Sequence, residues 1–265
     1  MIAAQRMEYI ISLLQERNVV TTIDLSTMLK VSDMTIRRDL DELEQMGICK
    51  RTHGGAVLAG RSIIQETSYR ERELQNVREK QAIAHAALRK IEEGDTIALD
   101  SGTTTLYLAK LLREKANITV ITNSIHAILA LYCCKGVTVI STSGSISRPC
   151  LVGDEERDPC LVGSMAEETM NKFRPTKAFI GTSSLSIADG LSNSVLEEAS
   201  MKRTMIGVSA EVFVLADHTK FGHTASFIVG PISLIDTLIT DPGIPKKFEE
   251  EITKIGVEVI KTHID

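Results

Sequence analysis

The 265-residue chain reads as an α/β protein in which a small winged helix-turn-helix domain precedes a larger domain built on a parallel sheet. Three observations predict this. A helix, helix, tight turn, helix pattern ends near Gly47 and runs straight into a hairpin pattern. From Thr96 onward, short apolar strands alternate with amphipathic helices. Small polar residues then collect at the carboxyl ends of those strands, where parallel sheets bind ligands.

The first helix is amphipathic through Met7, Ile10, Ile11 and Leu14. A short Val19-Val20-Thr21 run follows, and Thr22 caps a second helix carrying Leu25, Met28 and Leu29. Lys30 and Val31 form the tight turn. Ser32 is suited to N-cap the third helix, because its hydroxyl can accept a free backbone N–H of the first turn. Ile36, Leu40 and Leu43 then face inward, while Met34, Arg38, Asp41 and Gln45 face away, with Thr35 and Arg37 flanking that outward face. Gly47 stops the helix. A hydroxyl and two arginines presented at a helix N-terminus suit a DNA major groove. Taken alone, the helix fits equally well a solvated face laced by Arg37–Asp41 and Arg38–Glu42 pairs; its neighbours shift the balance. Ile48 to Arg51 reads as a strand, His53-Gly54-Gly55 as a turn and Ala56-Val57-Leu58 as the return strand. This is a wing whose Lys50 and Arg51 can lie against phosphates.

Residues 6 to 58 closely resemble the DNA-binding domain of the DeoR family of bacterial transcription regulators. The resemblance rests on the TIRRDL helix (Thr35 to Leu40), the L-x-x-x-G-I segment (Leu43 to Ile48) and the R-T-H-G-G-A wing (Arg51 to Ala56). Ser32, Met34, Thr35, Arg37, Arg38, Lys50, Arg51 and His53 are the expected DNA-contacting residues.

Composition narrows the class. With 43% hydrophobic residues and no low-complexity tract, the chain is expected to be a soluble protein with a sizeable core. No apolar run reaches membrane-spanning length and no signal-peptide core opens the chain, so a cytoplasmic protein without membrane partners is expected. Five cysteines without a C-x-x-C spacing point to reduced thiols, with no metal site and no cofactor. The net charge of −5 is spread over the whole chain. In the front domain Asp39, Asp41, Glu42 and Glu44 offset the arginines, so modest non-specific DNA affinity and a reliance on dimerisation are expected. A monomer that gripped random duplex as tightly as an operator would contradict this.

The expected domains are residues 1–58, a linker over 59–76 with weak periodicity that can turn helical toward its C-terminal end, and an effector domain over 77–265. In the last, Lys80 to Ile91 is a helix, followed by strands at Thr96 to Leu99, Ile118 to Thr122, Val137 to Ser141, Lys177 to Ile180, Val212 to Ala216, Asp236 to Thr240 and Val257 to Ile260. Helices are expected from Leu106 to Arg113, after Ser124, and from Phe248 to Ile255. Capping boxes at Ser164-x-x-Glu167 and Ser194-x-x-Glu197 open two more. After the first strand, Asp100-Ser101-Gly102-Thr103-Thr104-Thr105 joins a flexible glycine to hydroxyls and helix-terminal amides, a pattern that binds phosphate. A Thr-rich cap without a ligand is the plainer reading of the same residues. Lys220, at the same sheet edge, is placed to supply a countercharge, although a solvated lysine is the commoner case.

The same family resemblance extends over this domain through Asp-Ser-Gly-Thr-Thr (100 to 104), Thr-Asn-Ser (122 to 124), Lys-Ala-Phe-Ile-Gly (177 to 181) and Ala-Asp-His-Thr-Lys-Phe-Gly (216 to 222). It implies a ribose-phosphate-isomerase-like fold and a phosphorylated-sugar effector. By it, Asp100 accepts from sugar hydroxyls, Gly102, Thr103, Thr104 and Thr105 hold the phosphate, and Thr122, Asn123, Ser124, Gly181, Glu197 and Lys220 complete the pocket. The implied protein is a repressor of a sugar or polyol catabolic operon, binding double-stranded operator DNA as a homodimer or homotetramer.

Two features depart from the family pattern. PCLVG occurs twice, at Pro149 to Gly153 and Pro159 to Gly163, and reads as a local tandem duplication in a surface loop without an assigned role. The usual glycine pair before it is Ser143-Gly144, which leaves the ligand role of Gly144 and Arg148 open. The main alternative is a sugar-phosphate isomerase with an appended DNA-binding domain, using Glu197 as its base. Against it stands a Leu191-Ser192-Asn193-Ser194 run where such enzymes carry glycines. A nucleotide-binding protein is weaker still, because no phosphate-loop or dinucleotide glycine motif is present.

Overall fold

A computed structural model describes residues 3–17, 19–45, 48–52, 54–58, 69–147 and 158–264. The chain divides into two units, Met1–Ile64 with His223–Ala225, and Gln65–Gly222 with Ser226–Asp265.

The front unit contains α1 (Ala3–Arg17), β1 (Val19–Thr21), α2 (Thr22–Leu29), α3 (Asp33–Gln45), β2 (Cys49–Thr52) and β3 (Gly55–Leu58). Ile10, Leu14, Leu25, Ile36, Leu40 and Leu43 bury completely or nearly so around a common core, which is the helical periodicity of the sequence made solid. Lys30 takes a left-handed backbone (φ 52°) to end α2, and the amides of Lys30 and Val31 both reach Ser26 O. This is the tight turn of the helix-turn-helix. The α2 cap is Thr21 rather than Thr22, its hydroxyl accepting from Asp24 N at 3.0 Å. Ser32 caps α3 as expected, accepting from Thr35 N at 3.2 Å. β2 and β3 form the wing, and β3 also pairs with β1, giving a three-stranded antiparallel sheet in the order β1-β3-β2. Inside the unit, Asp39 is buried in a bidentate ion pair with Arg6 at 2.5 and 2.9 Å, tying α3 to α1.

The back unit opens with α4 (Tyr69–Leu74), which lies within the stretch expected to be linker, and α5 (Val77–Leu88). There follow β4 (Thr96–Leu99), α6 (Thr103–Leu112), β5 (Ile118–Thr122), α7 (Ile125–Leu131), β6 (Val137–Ser141), β7 (Ser145–Ile146), β8 (Leu161–Val162), α8 (Ser164–Met170) and β9 (Lys177–Gly181). Next come β10 (Ser184–Ser186), β11 (Gly190–Asn193), α9 (Leu196–Val208), β12 (Glu211–Leu215), β13 (Phe227–Gly230), β14 (Thr237–Thr240), α10 (Lys246–Lys254) and β15 (Glu258–Lys261). Seven strands make one parallel sheet in the order β15-β14-β12-β9-β4-β5-β6. Alternation along each strand feeds two cores. Ile97, Leu99, Val120, Phe179, Phe213 and Ile239 join α5, α6 and α7 on one face, while Ala98, Ile121, Ala178, Ile180, Val214 and Leu238 meet α8, α9 and α10 on the other. Phe179 and Phe213 are register partners and stack at 4.9 Å.

The chain starts in the middle of the sheet at β4, builds outward through β5 and β6, then returns to β9 and builds the other way. The order therefore reverses between β4 and β9, the place where open α/β sheets hold ligands. Two small sheets were not expected: the antiparallel β10-β11-β13 and the pair β7-β8. Both expected capping boxes are corrected. Gly163 precedes α8 with φ 92°, and Val195 precedes α9; neither supplies a side-chain cap. Ser194 Oγ is buried without a partner among the described residues. Gly144 has φ 122°, and a Cβ there would sit 2.5 Å from Val162 O, so the backbone at this position requires glycine. Arg148, Gly47 and the first PCLVG copy lie outside the described residues.

Candidate functional site

The front unit presents an outward face on α3. Met34 is 79% exposed, Arg37 and Arg38 are exposed, and neither arginine has an ion-pair partner among the described residues. The helix-internal pairs with Asp41 and Glu42 are therefore not formed. Thr35 Oγ1 meets Ser32 Oγ at 2.9 Å, so these two hydroxyls fix one another at the helix start. Lys50 on the wing is exposed. Arg51 differs from expectation: its Nε pairs with Asp41 at 3.0 Å, and its backbone N–H donates to Glu44 at 2.6 Å. Asp41 draws Arg51 back against α3, and Arg51 braces the wing. His53 lies outside the described residues.

In the back unit a cleft opens over the carboxyl ends of β4, β9 and β12. Gly102 leads into α6 with φ 133°, a conformation open to glycine, and Thr103, Thr104 and Thr105 make the buried first turn. The first-turn amides of a helix have no partner within it, so this end offers N–H groups and hydroxyls to an anion. Thr105 Oγ1 donates back to Gly102 O at 3.0 Å and holds the loop. On the opposite lip Asp217 accepts from Thr219 N at 3.0 Å and from Asn76 Nδ2 at 3.2 Å, and the turn it caps carries Lys220 into the lining. Arg72 of α4 lines the same cleft.

Asp100 is 1% exposed and is held by Lys202, which is 3% exposed, and by Gly181 N at 2.9 Å. Burial disfavours the charged form of both groups. It raises the Asp100 carboxyl above its ordinary value despite Lys202; for Lys202 burial is the largest single effect and lowers the ammonium, but the charge and hydrogen bond of Asp100, with further nearby acidic groups, raise it on balance. Sequence reasoning missed Lys202. Its signal was a lysine in the buried stripe of α9 between Ala199, Met205 and Ile206. Asp100 is thus fixed by the protein's own cation.

The other expected residues divide. Gly181 lines the cleft, but its N–H is engaged by Asp100. Thr122, Asn123 and Ser124 are buried away from the lining and organise the neighbouring turn. Thr122 Oγ1 accepts from Ser124 N at 3.0 Å, Ser124 Oγ caps α7 through Ala127 N at 3.1 Å, and Asn123 Nδ2 donates to Leu161 O at 3.3 Å. Glu197 is exposed and outside the lining, because α9 begins one residue before it and turns it outward. Glu198 faces the cleft instead, accepting from Asn193 Nδ2 at 2.9 Å. Asn193 in turn accepts from Ser183 at 2.9 Å. Among the described residues no cluster of His, Cys, Asp and Glu could hold a metal ion, and no helix is long and apolar enough to cross a membrane.

A winged helix-turn-helix with an arginine-bearing outward face, joined in one chain to an α/β unit whose cleft suits an anion, defines a ligand-responsive DNA-binding regulator. Residues 6–61 match the DeoR-like helix-turn-helix domain and residues 75–242 match the DeoR C terminal sensor domain. The chain belongs to the DeoR family of transcriptional regulators. It is 32% identical to a putative aga operon transcriptional repressor of Escherichia coli O157:H7, over 97% of this chain and 93% of that protein. It is also 30% identical to the glycerol-3-phosphate regulon repressor of Escherichia coli strain K12, over 96% and 97%. Among solved structures, a D-ribose-5-phosphate isomerase in complex with phospho-erythronic acid is similar over 54% of this chain and 52% of that one, with a TM-score of 0.38 and 21% identity.

Proposed function

We propose that the protein represses a sugar or polyol catabolic operon in the cytoplasm and that a phosphorylated sugar or polyol bound in the back-unit cleft controls it. The observation that carries this reading is the cleft at the sheet's switch point, where the Gly102–Thr105 helix start stands with Lys220 and Arg72 in one lining. The phosphoryl group is assigned to the α6 amides and hydroxyls, with Lys220 as countercharge. One relative is named for a glycerol-3-phosphate regulon, which agrees with a phosphorylated small molecule as signal. The proposed domain boundaries are 1–58 for DNA binding and 77–265 for sensing.

A homodimer or homotetramer presents two α3 helices to successive major grooves, so the operator contains repeated or inverted half-sites. Effector binding shifts the DNA-binding equilibrium by its difference in affinity for the two states. α4 is the element of the cleft lining nearest the front unit in sequence. Lys80, whose ammonium is lowered by burial to about 8, donates to the carbonyls of Arg72 and Gln75 and fixes the end of α4.

The protein is proposed to bind its effector without converting it. Glu197 has no access to the cleft, and Asp100 is engaged by Lys202. Thermal-shift screening with phosphorylated sugars tests the effector class, since a specific binder stabilises the native state by mass action. The expected result is a shift with at least one ester that Lys220→Ala removes; no shift across the panel contradicts the reading. On the DNA side, Arg38→Ala is expected to cost about 1–3 kcal/mol of operator binding and relax preference at one base pair. Equal loss on every sequence would make Arg38 a phosphate contact.

A further inference from the structure

The second PCLVG copy does structural and chemical work that its sequence did not announce. Cys160 is fully buried, and Leu161 N donates to Asn123 O at 2.8 Å, so this copy is stitched beside the turn after β5. The residue just before it, Asp158, is carried into the cleft lining. It is only 4% exposed. Its backbone carbonyl accepts from Ser147 Oγ at 3.0 Å, and Ser147 Oγ also accepts from Cys160 N at 3.2 Å. Its Oδ1 is held by His126 Nδ1 at 3.1 Å, and the imidazole stacks on Tyr69 at 4.9 Å. The side chain is therefore fixed in position from two directions.

Its second oxygen, Oδ2, is buried with no hydrogen-bond partner among the described residues. The other carboxylates of the lining are engaged: Asp100 by Lys202 and Gly181, Asp217 by Thr219 and Asn76, Glu198 by Asn193. A buried acceptor without a donor is costly, and such an atom held in a ligand cleft is poised for a donor that the ligand brings. A phosphoryl oxygen cannot be that partner, because it carries no donor when ionised and is repelled by the carboxylate. The donor must come from the uncharged part of the ligand.

Building on the proposed function, we propose that Asp158 is an effector-specificity residue whose free carboxylate oxygen accepts a hydrogen bond from a hydroxyl on the carbon chain of the phosphorylated effector. Phosphate affinity and hydroxyl recognition then reside in different parts of the cleft. The α6 start takes the anion, and Asp158 distinguishes a polyhydroxylated ester from bare phosphate.

Calorimetric titration of the full-length protein tests this, using ribose 5-phosphate, fructose 6-phosphate, glycerol 3-phosphate and inorganic phosphate as probes against wild type, Asp158→Ala and Asp158→Asn. Wild type is expected to bind at least one ester more tightly than inorganic phosphate. Asp158→Ala should weaken that ester roughly 10–100-fold, the range of a hydrogen bond to a charged group. It should leave inorganic phosphate within about twofold. Asp158→Asn keeps an acceptor in the same space and should lose less, and its melting curve shows whether the fold is retained. An unchanged ester affinity in Asp158→Ala overturns the assignment, as does an equal loss for ester and inorganic phosphate. If wild type binds none of the esters, the phosphorylated-effector reading itself fails and Asp158 loses its role with it.

Discussion

Lys202→Met is expected to destabilise the back unit by about 3–5 kcal/mol, the range for removing one partner of a buried ion pair. Lys202 and Asp100 are 3% and 1% exposed, so water cannot replace the missing charge. Asp100 would keep only Gly181 N at 2.9 Å among the partners described above. The pH dependence has a definite sign. Burial already raises the Asp100 carboxyl above its ordinary value, and losing Lys202 raises it further. The folded variant then holds a proton that the unfolded chain has released, and stability falls as pH rises through that window. Denaturant unfolding at pH 5 and pH 8 should show the larger loss at pH 8. Adding Asp100→Leu should recover part of it, since an apolar pair is tolerated where a lone charge is not. Equal stability of Lys202→Met and wild type at both pH values would show that the pair is not buried as described.

Gly55→Ala should have a comparable effect on the front unit. A Cβ at this position would lie 1.9 Å from Val20 O and 2.8 Å from Thr21 Cα, both backbone atoms of β1. Gly55 pairs with Thr21 across β1 and β3, and Thr21 caps α2. Relief of the clash requires β1 to move, which opens the wing sheet and disturbs the start of the helix-turn-helix together. Overpacking costs typically about 1–3 kcal/mol and more where backbone must shift, so a loss near the top of that range is expected. Operator binding should vanish at concentrations that saturate wild type. Gly54 is the internal control, because a Cβ there meets nothing within 4 Å. If Gly54→Ala and Gly55→Ala melted alike, the close strand crossing would be refuted.

The contrast between these two sites shows what the sequence made legible. Period was readable where an element stands on its own apolar pattern: Ile36, Leu40 and Leu43 lie at the core, and β4, β5 and β6 have the bounds that their apolar runs set; of the caps expected at Thr22, Ser32, Ser164 and Ser194, Ser32 supplies one. The Gly102–Thr105 helix start was readable because its residues are consecutive. Elements built from serine and glycine were not. β10 and β11 bury Ser186, Ser192 and Asn193 in side-chain hydrogen bonds and Ser184 beside them, which leaves little hydrophobic alternation to see. Side chains brought together from distant positions were also hidden. Lys202 reaches Asp100 across 102 positions, and Asp158 reaches His126 across 32. Glu197 was the expected carboxylate, but α9 starts after Val195 and the residue facing the cleft is Glu198, one position on and about 100° round the helix.

One chain, on the function proposed above, grips a duplex with its front unit and reads a phosphorylated small molecule with its back unit. Fluorescence anisotropy of a labelled duplex, selected from a random pool by the full-length protein, tests it most directly when titrated with and without the ester found by thermal shift. The expected result is a selected sequence with paired half-sites and an operator affinity that moves at least tenfold with the ester present, in wild type and not in Lys220→Ala. An affinity that stays the same with the cleft occupied would contradict it.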